Sequence, residues 1–152
     1  MKNGTITILC AEDDPEDRML LKDALEEARV TDAPRFVENG QDLMDYLCYR
    51  GKHNPGNAPR PDVILLDLNM PKKGGREVLR EIKADPNLRH IPIVALTTSS
   101  AEEDISYTYD LGVNSYITKP AKFEGLVEAM RALGCYWFQT VELPAKKNGA
   151  SG

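Results

Sequence analysis

Two apolar runs in this chain end in carboxylates. Ile6-Thr7-Ile8-Leu9-Cys10-Ala11 leads into Glu12-Asp13-Asp14, and Val63-Ile64-Leu65-Leu66 leads into Asp67. Two further runs end in residues able to hold phosphoryl oxygens: Ile91-Pro92-Ile93-Val94-Ala95-Leu96 stops at Thr97, and Ser115-Tyr116-Ile117 at Thr118-Lys119. Any one of these polar ends is what a strand re-entering water would show. Together, Glu12, Asp13 and Asp67 bring three negative charges to one rim, where they repel unless a cation and a lysine balance them. A divalent ion with Lys119 does that. The donors are oxygens, with no His or Cys nearby in sequence, so the expected ion is hard: Mg²⁺, or Mn²⁺ as a substitute. Mg²⁺ on a few carboxylates usually accompanies phosphoryl chemistry, and a carboxylate so placed can itself be the nucleophile, forming an aspartyl phosphate. Thr97 offers a hydroxyl and Lys119 an ammonium to the incoming phosphoryl oxygens.

Strand and helix patterns alternate along the chain, which predicts an α/β fold: a doubly wound parallel sheet with helices on both faces and ligands at the strands' carboxyl ends. After the first strand, Pro15 can start a helix with apolar positions Met19, Leu20, Ala24, Leu25 and Ala28, and with Glu16 and Asp17 at its positive end. Arg35-Phe36-Val37-Glu38 is a short second strand. The next helix, inward at Leu43, Met44 and Leu47, is expected to end near Arg50-Gly51. The Gly/Pro-rich stretch 51–61 reads as a surface loop. A third helix places Val78, Leu79 and Ile82 inward, a polar fourth covers about Ala101 to Leu111, and a last one begins near Lys122 with Phe123, Leu126, Val127, Met130 and Leu133 inward.

A length of 152 residues suits one domain, expected over residues 1–143, with a flexible tail at 144–152. The net charge of −5 and the lack of a Lys/Arg stripe argue against nucleic-acid binding. No long apolar segment suggests secretion or a membrane span, so the expected location is cytoplasmic. Cys10, Cys48 and Cys135 are widely spaced and read as thiols of a reducing compartment rather than as a disulfide framework. His53 and His90 read as solvated.

The series Glu12-Asp13-Asp14, Asp67-Leu68-Asn69-Met70-Pro71-Lys72-Lys73-Gly74-Gly75, Thr97-Thr98-Ser99 and Tyr116-Ile117-Thr118-Lys119-Pro120 resembles a response-regulator receiver domain of the CheY type over residues 5 to 138. The resemblance implies a flavodoxin-like five-stranded sheet of order 2-1-3-4-5 and phosphoryl transfer from a sensor histidine kinase to Asp67. It also implies Mg²⁺ on Asp13, Asp67 and the backbone carbonyl of Asn69, with Glu12 acting through water. Thr97 and Tyr116 would form the switch pair, Lys119 the phosphate contact, and Lys119-Pro120 a cis bond. Such domains catalyse only their own phosphorylation and dephosphorylation. Ala58-Pro59-Arg60-Pro61-Asp62, the run from Met70 to Leu79 and the ending Tyr136 to Pro144 further resemble the stand-alone regulators that serve phytochromes. Two departures, Thr98 and Ala121, bear on rates rather than on ligands.

Tyr136, Trp137, Phe138, Val141 and Leu143 continue the apolar content beyond what one sheet should bury, which predicts a homodimer built with the last helix. No output domain is expected after Pro144, so output would be by protein contact. One rival is a receiver-shaped binding module indifferent to phosphorylation. The other, a Mg²⁺-dependent phosphatase of the dehalogenase type, wants an acid where Asn69 stands.

Overall fold

Alternating side chains along each strand divide the apolar residues between two faces of one sheet. The computed structural model describes residues 7–30, 34–68, 70, 74–97, 112–113, 115–119 and 122–135, with Ser115 and Tyr116 by backbone alone. In chain order the elements are β1 (Ile8–Ala11), α1 (Pro15–Glu27), β2 (Arg35–Val37), α2 (Gly40–Cys48), β3 (Val63–Asp67), α3 (Gly75–Ala84), β4 (Ile93–Thr97), β5 (Ser115–Thr118) and α4 (Phe123–Cys135). The strands are parallel in the order β2-β1-β3-β4-β5, as the sequence led us to expect. The helix expected at 101–111 lies outside the described residues.

Ile8, Cys10, Val63, Leu65, Val94 and Leu96 face α1 and α4, where Leu21, Ala24, Leu25, Val127, Met130 and Leu133 meet them. Leu9, Ala11, Ile64, Leu66, Ile93 and Ala95 face the other way, onto Leu43, Met44 and Leu47 of α2 and Val78, Leu79 and Ile82 of α3. Fully burying one such side chain stabilises the fold by about 1.5–3 kcal/mol before entropy is counted. Asp14 caps α1 by accepting from the Glu16 N–H at 2.9 Å, and Asn39 caps α2 by accepting from the Asp42 N–H at 2.8 Å.

Several expectations are corrected. β2 stops at Val37 because the Glu38 N–H is taken by the Asp42 carboxylate at 3.2 Å. β4 starts at Ile93, since Pro92 has no N–H to offer and the Ile91 N–H turns back to the Leu88 carbonyl at 3.0 Å. α2 ends at Cys48, where Tyr49 adopts a left-handed φ of 58°. His53 is not solvated: its Nε2 lies 2.9 Å from Asp42 Oδ1 and its ring packs on Tyr46. The loop around it is likewise tied down, by Tyr46 Oη donating to the Pro59 carbonyl at 2.8 Å and Arg35 Nη1 donating to the Asn57 carbonyl at 3.0 Å. Phe123, expected inward, is 38% exposed, because it opens α4 just as the chain leaves the sheet's rim. Met19 and Leu20 are exposed as well, and Leu21 takes the core position. Among the described residues no helix is long and apolar enough to cross a membrane.

Candidate functional site

Register brings the polar strand ends together. Ala11 pairs with Leu66, so the next residues, Glu12 and Asp67, emerge side by side. Asp67 in turn pairs with Leu96, one residue before Thr97, and Thr97 pairs with Thr118, one residue before Lys119. The Lys119 N–H donates to the Thr97 carbonyl at 2.7 Å, which sets where the lysine side chain departs. The rim between β1 and β3 is where the sheet's strand order reverses, the position at which such folds bind ligands.

Glu12, Asp67 and Thr97 are buried, and Asp13 is half-buried. Lys119 Nζ lies 3.1 Å from Glu12 Oε1, 3.2 Å from Asp67 Oδ2 and 3.5 Å from Asp17 Oδ2. The second oxygen of Glu12 accepts from the Asp14 N–H at 3.3 Å. Burial, and then the hydrogen bond and negative charge of Asp67, push the Glu12 carboxyl up to about 7, against the pull of Lys119. Burial lowers the affinity of Lys119 for its proton, but the charges of Asp67 and Glu12 outweigh it and hold the ammonium well above its usual range. The same surroundings, burial first and Glu12 second, keep the Cys10 thiol protonated.

One oxygen each from Glu12, Asp13 and Asp67 lies within 4.8 Å of the other two. A hard cation about 2.0–2.6 Å from its ligands can span that gap, directly or through retained water. The donor set of three oxygen ligands therefore fits Mg²⁺ or Mn²⁺. Because Glu12 binds its proton more tightly folded than unfolded, the stability it lends is present below about 4.5, its ordinary value, and is lost as pH rises through about 7. Lys119, shifted upward from 10.5, holds its charge throughout that window. In EDTA, Tm is expected to fall by a few degrees between these pH values, and Glu12→Gln to flatten that fall, as thermal scans at stepped pH would show.

The other expected site residues fall outside what is described: Asn69 with its carbonyl, Pro120 of the expected cis bond, Thr98, and Tyr136, Trp137, Phe138 and Val141 of the expected dimer. Tyr116 is placed by its backbone opposite Ala95.

A model of the response regulator receiver domain matches residues 8–131 of the chain. The chain belongs to the response regulator receiver family. This receiver is 41% identical over 143 residues to response regulator Rcp1 of Synechocystis sp., covering 94% of this chain and 96% of that one. The Mn²⁺-bound structure of Rcp1 superposes with a TM-score of 0.78 at 40% identity, covering 91% of this chain and 99% of that one. The phosphorylated cyanobacterial phytochrome response regulator RcpA gives 0.83 at 45% identity, over 92% and 99% of the two chains. A response regulator in red light signalling of R. palustris gives 0.86 at 38%, over 91% and 98%. The receiver is thus a signalling domain of two-component systems, of the kind found in phytochrome-associated stand-alone regulators.

Two residues of the receiver's site were not singled out from the sequence as part of it. Asp17, read only as a helix-end charge, reaches Lys119, and Arg18 donates from Nη1 to the carbonyls of Glu12 at 3.0 Å and Asp13 at 3.3 Å. The signal was there in Asp14-Pro15: a cap followed by an N1 proline fixes α1 to start at once, so its first turn must lie against the acidic triplet.

Proposed function

We propose that this receiver accepts a phosphoryl group from a sensor histidine kinase, a phytochrome, onto a carboxylate oxygen of Asp67, with Mg²⁺ held by Asp13, Asp67 and the Asn69 carbonyl and supported by Glu12. The observation that carries this reading is the Asp67 carboxylate itself, 3% exposed at a strand end with an ammonium 3.2 Å away and two further carboxyls beside it. Asp67 Oδ attacks phosphorus while the bond from phosphorus to the donor's leaving atom breaks, and the leaving group keeps the electron pair. A bound divalent ion supplies charge neutralisation for the transferring phosphoryl oxygens. Lys119 offers its ammonium to one of those oxygens, and Thr97 its hydroxyl to another. Engagement of Thr97 would free space for Tyr116 to turn, passing the change to the surface around β5. The apolar stretch 136–143 supports a homodimer built with α4 as the responding assembly; sedimentation with and without phosphoryl donor tests that part. The cytoplasm is the compartment such a kinase requires.

Intact-mass measurement after acetyl phosphate treatment tests the core of the reading. A phosphate-sized increment is expected with Mg²⁺ or Mn²⁺ and none in EDTA. An increment indifferent to the metal, or none in either condition, defeats it.

A further inference from the structure

The first turn of α1 touches both halves of the site without contributing to the carboxylate cluster. The sheet bonding of β1 on its β2 side ends where the Glu12 N–H donates to the Val37 carbonyl at 3.0 Å. Just beyond, the carbonyls of Glu12 and Asp13 both accept from Arg18 Nη1, at 3.0 and 3.3 Å. A single nitrogen shared by two successive carbonyls fixes the peptide plane between them, and that plane aims the Asp13 side chain. The bonds are charge-assisted, and the half-buried guanidinium offsets carboxylate repulsion through the backbone, leaving the side-chain oxygens to converge. On the adjacent position, Asp17 completes a tripod. An ammonium has three N–H donors, and three carboxylates surround Lys119 Nζ, those of Glu12, Asp67 and Asp17. Two of the three belong to the cluster that a cation and a phosphoryl group would claim. Asp17 does not, so it is the partner Lys119 keeps when the others are engaged. Lys119, Asp17 and Glu12 also line one cavity of about 70 Å³ whose other walls, Leu20, Leu21, Leu96 and Leu126, are apolar, so the ammonium's polar partners there are the two carboxylates.

We infer that the first turn of α1 is a positioning element with two separable duties: Arg18 shapes the acidic turn for cation binding, and Asp17 holds Lys119 over Asp67 for phosphoryl transfer. The inference rests on the phosphoryl-acceptor reading above. Because the duties differ, the two substitutions should act on different measurements. Arg18→Gln is expected to weaken Mg²⁺ binding, titrated calorimetrically with MgCl₂ alone, by about 10–100-fold, the usual effect of losing a group that orients metal ligands. Arg18→Lys, with one point charge in place of a fork, should fall between. Asp17→Asn should leave Mg²⁺ affinity within about twofold and slow acetyl phosphate labelling at saturating Mg²⁺ by about two- to fivefold, the range for a partly exposed ion pair. Lys22→Gln, one turn on and paired with Glu26, is the control expected to change neither. Thermal scans in EDTA show whether each variant is folded, and Arg18→Lys serves if Arg18→Gln is not. A wild type that takes neither Mg²⁺ nor phosphate overturns the acceptor reading and this inference with it. With a competent wild type, the inference alone is overturned if the arginine variants bind Mg²⁺ normally, if Asp17→Asn is labelled at the wild-type rate, or if both positions affect both measurements alike.

Discussion

Exchange of Asp67 for asparagine is expected to abolish the mass increment from acetyl phosphate and from kinase donor alike. Asparagine keeps the shape but lacks the anionic oxygen that must attack phosphorus, so the loss reports chemistry rather than packing. Among the described residues no neighbour is placed to take over. Both oxygens of Glu12 are engaged, by Lys119 and by the Asp14 N–H, and its raised affinity for a proton makes it a poor nucleophile near neutrality. Asp17 is paired with the Lys119 ammonium at 3.5 Å and is 42% exposed, which leaves its charge screened by water. Asp13 is half-buried on the turn whose carbonyls accept from Arg18, and the proposal gives it the cation rather than the phosphoryl group. The same variant separates the acceptor from a binding module indifferent to phosphorylation. If partner affinity under phosphorylating conditions is unchanged by Asp67→Asn, the binding module is the better description. A full-size increment on the variant would put the acceptor elsewhere.

Gly75→Val is expected to lower Tm by several degrees and to slow labelling of Asp67 along with it. A Cβ at position 75 would stand 2.6 Å from the Leu68 Cα and 3.0 Å from the Asp67 carbonyl, and both obstacles are backbone. The start of α3 can therefore lie against the end of β3 only while residue 75 has no side chain. Forcing atoms into such a contact typically costs about 1–3 kcal/mol, and each kcal/mol moves the Tm of a domain this size by about 2–4 °C. Relief of the clash has to move the strand end that carries Asp67, the proposed acceptor, which is why stability and labelling should fall together. Gly74 is the matched control. A Cβ there meets nothing within 4 Å, and as the N-cap of α3 it lacks a side-chain cap, so Gly74→Ser should be neutral or mildly stabilising. Equal losses from both substitutions would show that the helix start, not the approach to Leu68, is at fault.

The fold could be read from the sequence because its signals are local and repeated. Val63 to Leu66 is apolar at every position, as a strand covered on both faces must be, and Val78, Leu79 and Ile82 recur at the helical period. The acidic cluster was legible for the same reason: Glu12 and Asp67 each end such a run, and parallel pairing needs no further information to bring strand ends to one rim. What escaped were contacts decided by how one element leans on another. Arg18 reaches back to main-chain carbonyls, and carbonyls leave no mark in a sequence. Asp17 looked like a charge suited to a helix end, which it also is, until β5 brought Lys119 to it. His53 read as solvated because nothing in an irregular Gly/Pro-rich stretch announces that it folds back onto Asp42 and Tyr46. Phe123 fits the inward spacing of its helix, but spacing gives direction only, not whether the sheet extends far enough to cover it.

One of the two edge strands, β2, is three residues long and opens on Arg35, whose guanidinium is moored to Asn57 across the loop. A margin that short, with a cation at its start, gives a stray polypeptide little ladder to join. Copies of this domain should therefore resist edge-to-edge polymerisation along that side at high concentration.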